Sequence, residues 1–378
     1  MNAMKVEFFK HNVSADDIAK VCEVLNNSFL TTGKEVKEFE EHLASYLGVD
    51  HCVGLTSCTA ALHLSLLACG VGEGDEVITT PMTFIATSNT VLYTGATPVF
   101  VDVESKTGLI DVERIEAAIT QKTKAIIPVH LYGQMCDMKA IRKLADKHGL
   151  IVIEDCAHAI ESNRDGVRPG HLGDVACFSF YATKNITSGE GGAIVTNSRI
   201  LADKVKLLRQ HGMSASAADR YVSVYRHWDM EMLGWKYNMS NIQAALLLGQ
   251  IARIDILLEK REEIATKYEE AFRGIDGINF PQIIKGSKSS RHLFTIWVAP
   301  SSRDQVLGQL QEDGIGVAVN YRAVHLLKYY RDSFGFARGM FPVAENIGDS
   351  TLTIPLYPKL LDNEVDYVIQ SVIKAVSK

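Results

Sequence analysis

The amino-acid sequence predicts an α/β fold in which a mostly parallel sheet is covered by helices, followed by a smaller C-terminal α+β domain. Short apolar segments of strand length alternate with segments of helical length through the first half of the chain. This alternation is typical of a parallel sheet buried on both faces. From residue 241 a long helical segment replaces the alternation. We therefore expect a large domain at residues 1–250 and a small domain at residues 251–378.

The N-terminal elements follow from local signals. Ser14 precedes two aspartates, a pattern that predicts a capped helix, and a second helix is predicted after Gly33. Beyond them we predict strands at residues 51–55, 76–79, 98–103, 125–130, 150–154 and 193–196, and helices at 57–69, 84–93, 112–119 and 138–148.

The C-terminal elements are fewer. One helix is predicted from Asn241 towards Glu270, because its apolar residues recur at helical spacing. Strands are predicted at 292–298 and 315–320, and helices at 303–312 and 365–376. The polar segment 214–219 is a candidate mobile loop.

Composition excludes several classes of protein. The 378 residues are 47% hydrophobic and 22% charged, with a net charge of −6 and no basic stripe, which argues against a nucleic-acid partner. No apolar stretch approaches the ~20 residues of a membrane span, and the first residues lack the apolar run of a signal peptide. The seven cysteines have no CxxC spacing. We expect reduced thiols, no metal site and a cytoplasmic protein.

Polar residues follow the first predicted strand. Ser57, Cys58 and Thr59 stand where a helix begins, and free backbone N–H groups at a helix N-terminus bind anions. Taken alone, these residues are better explained as an ordinary serine or threonine cap. The aromatic Phe84, taken alone, is best explained as a core residue.

A carboxylate follows the most apolar strand. Asp155 comes directly after residues 150–154, and His158 lies three residues further on. A carboxylate at the mouth of a buried strand needs a cationic or hydrogen-bonding partner. A helix-capping aspartate beside a satisfied histidine remains an alternative.

Lys184 is the only cation in the glycine-rich stretch FSFYATKNITSGEGGAIVTN. A lone loop lysine is more often solvated than catalytic, and Ser179 lies an odd number of residues before it. In one extended strand the two side chains would therefore face opposite sides, so the loop must bend if both bind one ligand. Together, however, an anion site, a buried acid, an aromatic ring and an isolated lysine match the needs of pyridoxal phosphate.

At these residues the chain resembles the DegT/DnrJ/EryC1/StrS sugar aminotransferases, whose architecture is that of fold-type-I pyridoxal phosphate-dependent transferases. The resemblance covers essentially the whole chain. It rests on the segments SCTAALH, TTPMTFIATSN, PVHLYGQMCDM, IEDCAHAIES, FSFYATKN, GEGGAIVTN, RQHGM and LGWKYNMSNIQAAL, which occur in the order and at the spacing of that family.

The resemblance implies a role for each matching residue. Lys184 matches the lysine that forms the internal aldimine, Asp155 the acid paired with the pyridinium nitrogen, and His158 the residue beside the cofactor ring. The cofactor would further be held by Phe84, which stacks on the ring, by Ser57, Cys58, Thr59 and Ser179 at the phosphate, and by Asn238 from the neighbouring subunit. Glycine is common where Cys58 stands, and arginine where Ser240 stands, so no role is carried onto Ser240.

The resemblance also implies the reaction. We expect transfer of an amino group from glutamate to a nucleotide-linked keto sugar of the 4-keto-6-deoxy class, in a homodimer with shared active sites that acts in polysaccharide biosynthesis. A 3-keto sugar or a cyclitol ketone is the alternative acceptor. Possible sugar or nucleotide contacts are Thr31, Thr32, Gly33, His211, Trp228, Trp235, Tyr321 and His325.

Two other classes of protein fit the sequence less well. A regulatory protein that binds the cofactor or the sugar without turnover would have a degenerate site, whereas here the lysine, acid, stacking ring and phosphate residues are all present. A nicotinamide-dependent enzyme is disfavoured because no G-x-G-x-x-G follows the first strand.

Overall fold

The computed structural model describes residues 4–214 and 227–377. The predicted mobile loop at residues 214–219 lies, apart from Ser214, outside the described residues.

A seven-stranded sheet forms the centre of the N-terminal part, with strand order β1-β8-β7-β5-β4-β2-β3. All neighbouring strands run parallel except β8, which is antiparallel to both β1 and β7. The predicted, mostly parallel sheet is thus confirmed. The strands are β1 (His51–Leu55), β2 (Glu76–Thr79), β3 (Thr97–Phe100), β4 (Thr123–Ile126), β5 (Ile151–Asp155), β7 (Val175–Ser179) and β8 (Gly192–Thr196), with β6 (Asn163–Arg164) pairing outside the sheet.

Seven helices accompany these strands in the described part of the N-terminal region. Ser14 caps the first one in a capping box with Asp17, as predicted. The helices are α1 (Ala15–Leu25), α2 (Lys34–Leu47), α3 (Cys58–Ala68), α4 (Ala86–Tyr93), α5 (Val112–Ile115), α6 (Met138–His148) and α7 (Arg199–Leu208).

Apolar residues on both faces of the strands explain why the sheet is covered twice. In β8, Ala193 and Val195 pack in one hydrophobic cluster with helix α2, whereas Ile194 between them packs in another with α3 and α7. Successive side chains of a strand point to opposite faces, so a continuous apolar strand must be buried on both.

The C-terminal part has its own hydrophobic cluster, which includes Tyr268, Phe272, Phe294 and Val368. Val6 from the N-terminal segment also belongs to this cluster. The elements are α8 (Asn241–Ala252), α9 (Ile254–Phe272), β9 (Ser287–Lys288), β10 (Phe294–Trp297), α10 (Arg303–Glu312), α11 (Lys328–Phe334), α12 (Pro342–Ser350), β11 (Thr351–Ile354) and α13 (Asp362–Val376). The boundary at residue 250 stays a prediction.

The long helix predicted from Asn241 is in fact two helices, α8 and α9, which meet at Arg253 with a bend of 65°. The guanidinium of Arg253 donates to Asp17 Oδ1 at 3.0 Å and to the Asn12 carbonyl at 3.0 Å. Among the described residues, no single helix is long and apolar enough to cross a membrane. Only the bent pair of α8 and α9, taken together, has the length and apolar composition of a membrane span.

Several predicted elements are shorter than expected. The strand predicted at 315–320 is absent, and that segment makes isolated bridges from Ile315 to Val6 and from Ala318 to Thr353. The strand predicted at 125–130 ends at Ile126, and the helix predicted at 84–93 begins only at Ala86. The residues that lie outside these shortened elements form loops that line the candidate active site.

Candidate active site

A cavity of about 450 Å³ opens at the carboxyl ends of the parallel strands, the edge at which α/β sheets bind ligands. Eight of the nine residues predicted for the site line it: Ser57, Cys58, Thr59, Phe84, Asp155, His158, Ser179 and Lys184. The ninth, Asn238, does not line it; its amide donates to the Thr32 hydroxyl at 2.6 Å.

The N-terminus of α3 forms one end of the cavity. The Ser57 hydroxyl accepts a hydrogen bond from the Ala60 N–H at 3.0 Å. The N–H groups of Cys58 and Thr59 have no partner among the described residues, as expected for the first turn of a helix. Ser179, the last residue of β7, lines the same cavity. Free amides and the helix dipole together fit a phosphate group.

A close approach of two backbone segments keeps this end compact. A Cβ added to Gly192 would lie 2.2 Å from the Ser57 carbonyl carbon and 2.5 Å from the Cys58 nitrogen. Only glycine leaves room for β8 beside the turn that precedes α3. The glycine-rich segment therefore supports the anion site, in addition to allowing the chain to bend.

Asp155 ends strand β5 and is 6% exposed. Its Oδ2 accepts from the Thr87 hydroxyl at 2.8 Å, and its Oδ1 accepts from the Ala157 N–H at 3.1 Å. Burial raises the pKa of the carboxyl, and these two hydrogen bonds oppose the rise. No cation forms an ion pair with Asp155 among the described residues, so the carboxylate fits a ligand that brings a charged N–H, as a protonated pyridine does.

Lys184 lies in the turn after β7, where its backbone N–H bonds to the Tyr181 carbonyl at 2.9 Å. This turn is the bend that brings Lys184 and Ser179 to one cavity. The Nζ atom has no hydrogen-bond partner among the described residues. Burial by the cavity walls lowers the pKa of the amine from the ordinary 10.5 to about 8, so a reactive neutral fraction exists near neutral pH.

The hydrogen bonds of His158 assign its tautomer. Its Nδ1 accepts from the Tyr132 N–H at 3.2 Å, so in the neutral ring Nε2 carries the proton and donates to the Tyr321 hydroxyl at 3.1 Å. Burial holds the pKa of His158 well below its usual range. His158 is therefore a neutral donor that orients Tyr321 at the cavity wall.

Aromatic rings border the open side of the cavity. The Phe84 side chain is 54% exposed, so the core position suggested by this residue alone is not what the structure shows. Its ring centroid lies 5.8 Å from that of Tyr321. The predicted contact Tyr321 therefore lines the cavity, together with Phe8 from the N-terminal segment. An exposed ring beside a polar cavity is available to stack on a ligand.

The other predicted contacts do not line this cavity in the described chain. Trp235 packs against His63 with centroids 5.0 Å apart, and buried His325 pairs with Glu345 at 3.0 Å. The remaining candidates outside the cavity are Thr31, Thr32, Gly33, His211 and Trp228.

Sequence reasoning missed Thr87, His292 and Phe8. Thr87 stands one helical turn after Phe84, a spacing that could have indicated its position. Phe8 and His292 lie far from the motifs in sequence, and nothing local distinguishes them.

One group of potential metal ligands occurs among the described residues: His130, Glu154 and Cys156, all buried. His130 Nε2 lies 2.8 Å from Glu154 Oε2, while its Nδ1 accepts from the Cys136 N–H at 3.1 Å. Glu154 Oε1 accepts from the Gly173 N–H at 2.9 Å. These hydrogen bonds give the polar atoms of the cluster their partners. We therefore interpret the cluster as a structural support for β5 and not as a metal site.

Comparison with known proteins shows which family the chain is similar to. The model of the DegT/DnrJ/EryC1/StrS aminotransferase family matches residues 11–373. The spore coat polysaccharide biosynthesis protein SpsC of Bacillus subtilis is 43% identical over 366 residues, which cover 95% of this chain and 94% of that protein.

Solved structures show the same fold. The putative sugar aminotransferase Spr1654 of Streptococcus pneumoniae, in its PMP form, superposes with a TM-score of 0.94 at 32% identity, covering 99% of each chain; a PLP form of it is also similar. PseC of Helicobacter pylori, an aminotransferase involved in the biosynthesis of pseudoaminic acid, gives 0.92 at 32% identity, covering 99% of this chain and 100% of that one.

Proposed function

The chain belongs to the DegT/DnrJ/EryC1/StrS aminotransferase family, and we propose that it transfers the amino group of glutamate to a nucleotide-linked 4-keto-6-deoxy sugar. It is a pyridoxal phosphate-dependent sugar aminotransferase. One observation carries the proposal: a single cavity brings together the amine of Lys184, the carboxylate of Asp155 and the free amides at the start of α3.

The residues present would hold the cofactor at both ends. The amides of Cys58 and Thr59 would bind its phosphate, and the Asp155 carboxylate, which the Thr87 hydroxyl orients through a hydrogen bond of 2.8 Å, would accept the ring N–H. When bound, the cofactor supplies an aldehyde that takes up amino groups and a cationic ring that stabilises negative charge on the neighbouring carbon.

We assign the proton transfer of the reaction to Lys184. With its pKa lowered to about 8, its amine can both take and return a proton near neutral pH, which suits a general base that next acts as a general acid. The Tyr321 hydroxyl oxygen accepts a hydrogen bond from His158 Nε2, so its own O–H is free to donate to an oxygen of the substrate. Phe84 and Tyr321 border this side of the cavity, with ring centroids 5.8 Å apart.

The choice of acceptor is supported by relatives and by one site residue. SpsC is described as a spore coat polysaccharide biosynthesis protein, and PseC as an enzyme of pseudoaminic acid biosynthesis. Both descriptions favour a sugar that enters a surface polysaccharide or glycan. The resemblance to the family implies that His158 stands where many enzymes that aminate C3 carry glutamine, and on that basis we propose amination at C4.

A substrate panel tests the acceptor. Turnover with glutamate is measured for nucleotide-linked 4-keto and 3-keto sugars and for a cyclitol ketone, with Lys184→Ala as the inactive control. We expect the highest kcat/KM for a 4-keto-6-deoxy sugar. A higher value for a 3-keto sugar or the cyclitol would contradict the proposal for the acceptor, and activity retained by Lys184→Ala would contradict the assigned role of the lysine.

The protein is further proposed to act as a homodimer in the cytoplasm. Asn238 lies outside the cavity of its own subunit, which supports a role in the site of a partner. The exposed rings of Phe84 and Tyr181 at the cavity mouth suit burial by a second copy. All seven cysteines are free thiols, which supports a reducing compartment.

A further inference from the structure

Asn185 directly follows the reactive lysine in the turn after β7, yet it does not line the active-site cavity. The backbone N–H of Lys184 bonds to the Tyr181 carbonyl at 2.9 Å, inside the same turn. The side chain of Asn185, by contrast, leaves the turn and contacts the C-terminal part of the chain at Ser290 and His292. It therefore connects the lysine turn to a distant part of the molecule.

The side-chain amide of Asn185 can have only one orientation. Its Nδ2 donates to both oxygens of the Glu161 carboxylate, at 3.0 and 2.8 Å, and to the Ser290 carbonyl at 2.8 Å. These partners are pure acceptors, so the nitrogen must face them. Its Oδ1 then accepts from His292 Nδ1 at 3.1 Å. The short side chain thus has a partner for each of its two polar atoms, and every partner lies outside the turn.

A buried ion pair keeps these partners in place. Glu161 and Arg261, which comes from helix α9, are each 2% exposed, and their side chains are in direct contact. The Nε of Arg261 also donates to the Ser290 carbonyl at 3.3 Å, and the Glu161 N–H donates to the Ser290 hydroxyl at 3.0 Å. Breaking a buried ion pair costs about 3–5 kcal/mol. The acceptors that bind the Asn185 amide are therefore held firmly.

The same residues close the space on one side of the lysine. A second cavity shares Lys184 and His292 with the active-site cavity, and Asn185 and Arg261 are among its walls. Its volume is about 10 Å³, at the lower limit for a single water molecule. Packing around Asn185 thus keeps bulk water away from this side of the lysine, whose burial lowers the pKa of its amine.

We propose that Asn185 is a positioning residue for Lys184. The ion pair of Glu161 and Arg261 holds the amide of Asn185, and the amide fixes the turn. The fixed turn keeps the amine in the active-site cavity and keeps water from reaching it through the smaller cavity. The inference rests on the role of Lys184 in the aminotransferase reaction and is independent of which sugar is the acceptor.

The pKa of the Lys184 amine in the cofactor-free enzyme tests the proposal with neither an amino donor nor a sugar present. Asn185→Ala removes the amide, so the turn loosens and water reaches the amine. Because water favours the protonated form, we expect the pKa to rise from about 8 towards the ordinary 10.5, by about one pH unit. Competitive acetylation at a series of pH values, followed by mass spectrometry, measures it. An unchanged pKa in the folded variant would overturn the proposal.

A second readout is the half-reaction of the cofactor-loaded enzyme with glutamate, followed by absorbance. A displaced amine impairs proton transfer but leaves the groups that bind the amino donor in place. We therefore expect the rate constant for Asn185→Ala to fall about 10- to 100-fold, the scale of a small misplacement of a reacting group, with little change in KM. A higher KM at an unchanged rate constant would contradict positioning.

Ser162→Ala is the matched control, because it weakens the same buried network without touching Asn185. The Ser162 hydroxyl is fully buried, donates to the Gly133 carbonyl at 2.6 Å and lies 2.8 Å from the Ser290 hydroxyl. We expect this variant to keep the pKa of Lys184 and the rate of the half-reaction. An equal rise of the pKa in Ser162→Ala would show that general loosening, and not Asn185, sets the pKa.

Asn185→Ser provides the same test if Asn185→Ala does not fold. Serine keeps a polar group beside the Glu161 carboxylate, but its hydroxyl is one bond closer to the backbone than the amide nitrogen. It cannot make the contacts with Glu161, Ser290 and His292 together. We expect the pKa of Lys184 to rise in this variant as well, and a pKa that stays at the value of the unaltered enzyme would overturn the proposal.

Discussion

The hydroxyl of Thr87 donates a hydrogen bond to Asp155 Oδ2 across 2.8 Å, although the two residues are 68 positions apart in the chain. The Thr83 hydroxyl lies 2.7 Å from the Thr87 oxygen and completes a short chain of hydrogen bonds. Helix α4 therefore orients the carboxylate that strand β5 brings to the cavity.

Replacing Thr87 with valine tests this orientation. The change conserves shape but removes the donor, so the carboxylate can rotate and its pKa rises, and both effects weaken its hold on a protonated ring nitrogen. We expect kcat/KM to fall about 10- to 100-fold, since a hydrogen bond to a charged group contributes ~1.5–3 kcal/mol. Steady-state kinetics with glutamate measure the loss.

Thr90→Val is the matched control for that experiment. Thr90 lies on the same helix and is buried, and its hydroxyl donates to the Thr87 carbonyl at 2.9 Å without reaching Asp155. A similar loss of activity in both variants would mean that Thr87 stabilises the helix and does not orient Asp155.

Gly192→Ala should weaken cofactor binding. The new Cβ would lie 2.2 Å from the Ser57 carbonyl carbon, so β8 and the turn before α3 must separate and the amides of Cys58 and Thr59 move from the phosphate. We expect at least a tenfold higher Kd for pyridoxal phosphate, on the scale of one lost hydrogen bond to a charged group. Absorbance titration of the cofactor-free protein measures it.

The control for this substitution is Gly308→Ala. Gly308 lies in helix α10, and a Cβ there meets nothing within 4 Å. It should leave the Kd unchanged. Equal affinity in Gly192→Ala and the unaltered enzyme would show that the close approach of the backbone does not support the phosphate site.

Lys184 should make the stability of the cofactor-free protein depend on pH. Burial lowers the pKa of its amine from 10.5 to about 8. Below pH 8 the amine is protonated in both the folded and the unfolded state, so the cost of burying the charge is fully present. Between pH 8 and 10.5 the folded protein releases the proton first, and the cost disappears as pH rises.

The comparison with Lys184→Met isolates that effect from all other titrating groups. We expect the unaltered protein to gain up to about 3 kcal/mol in free energy of unfolding relative to the variant between pH 7.5 and 10.5. Urea unfolding at both pH values measures it, with Lys37→Met, 77% exposed, as the control for loss of a lysine. A constant difference across this range would exclude the depressed pKa.

The sequence predicted those parts of the site that lie next to strand ends. Lys184 and Asp155 each follow an apolar strand, and parallel strands end at one edge, so their meeting could be anticipated. The orientation of these groups could not. Thr87, His292 and Phe8 reach the cavity from distant elements, and their contacts depend on packing between helices and between the two ends of the chain.

Contacts between distant parts of the chain also explain the errors in the fold prediction. Residues 315–320 have the apolar pattern of a strand, yet the structure uses them to hold the N-terminal segment, with Ile315 bridging to Val6. The predicted single helix bends at Arg253, where the side chain binds Asp17 and the Asn12 carbonyl. Neither partner is near in sequence, so periodicity alone predicts an unbroken element.

A mixing experiment tests whether Asn238 acts in the site of a partner subunit. Lys184→Ala and Asn238→Ala are each expected to have little activity, because one lacks the amine and the other the proposed phosphate contact. In a mixed dimer, one site would combine the intact Lys184 of one subunit with the intact Asn238 of the other. Co-expression of the two variants with different tags, followed by purification through both, isolates this species.

We expect the mixed dimer to regain close to half the activity of the unaltered enzyme, since one of its two sites is complete. If Asn238 acts within its own subunit, no site is complete and activity stays at or below the level of Asn238→Ala. A protein that purifies as a monomer by light scattering would contradict the shared site directly. The position of Asn238 beside Thr32, outside the cavity of its own subunit, is the structural reason to expect recovery.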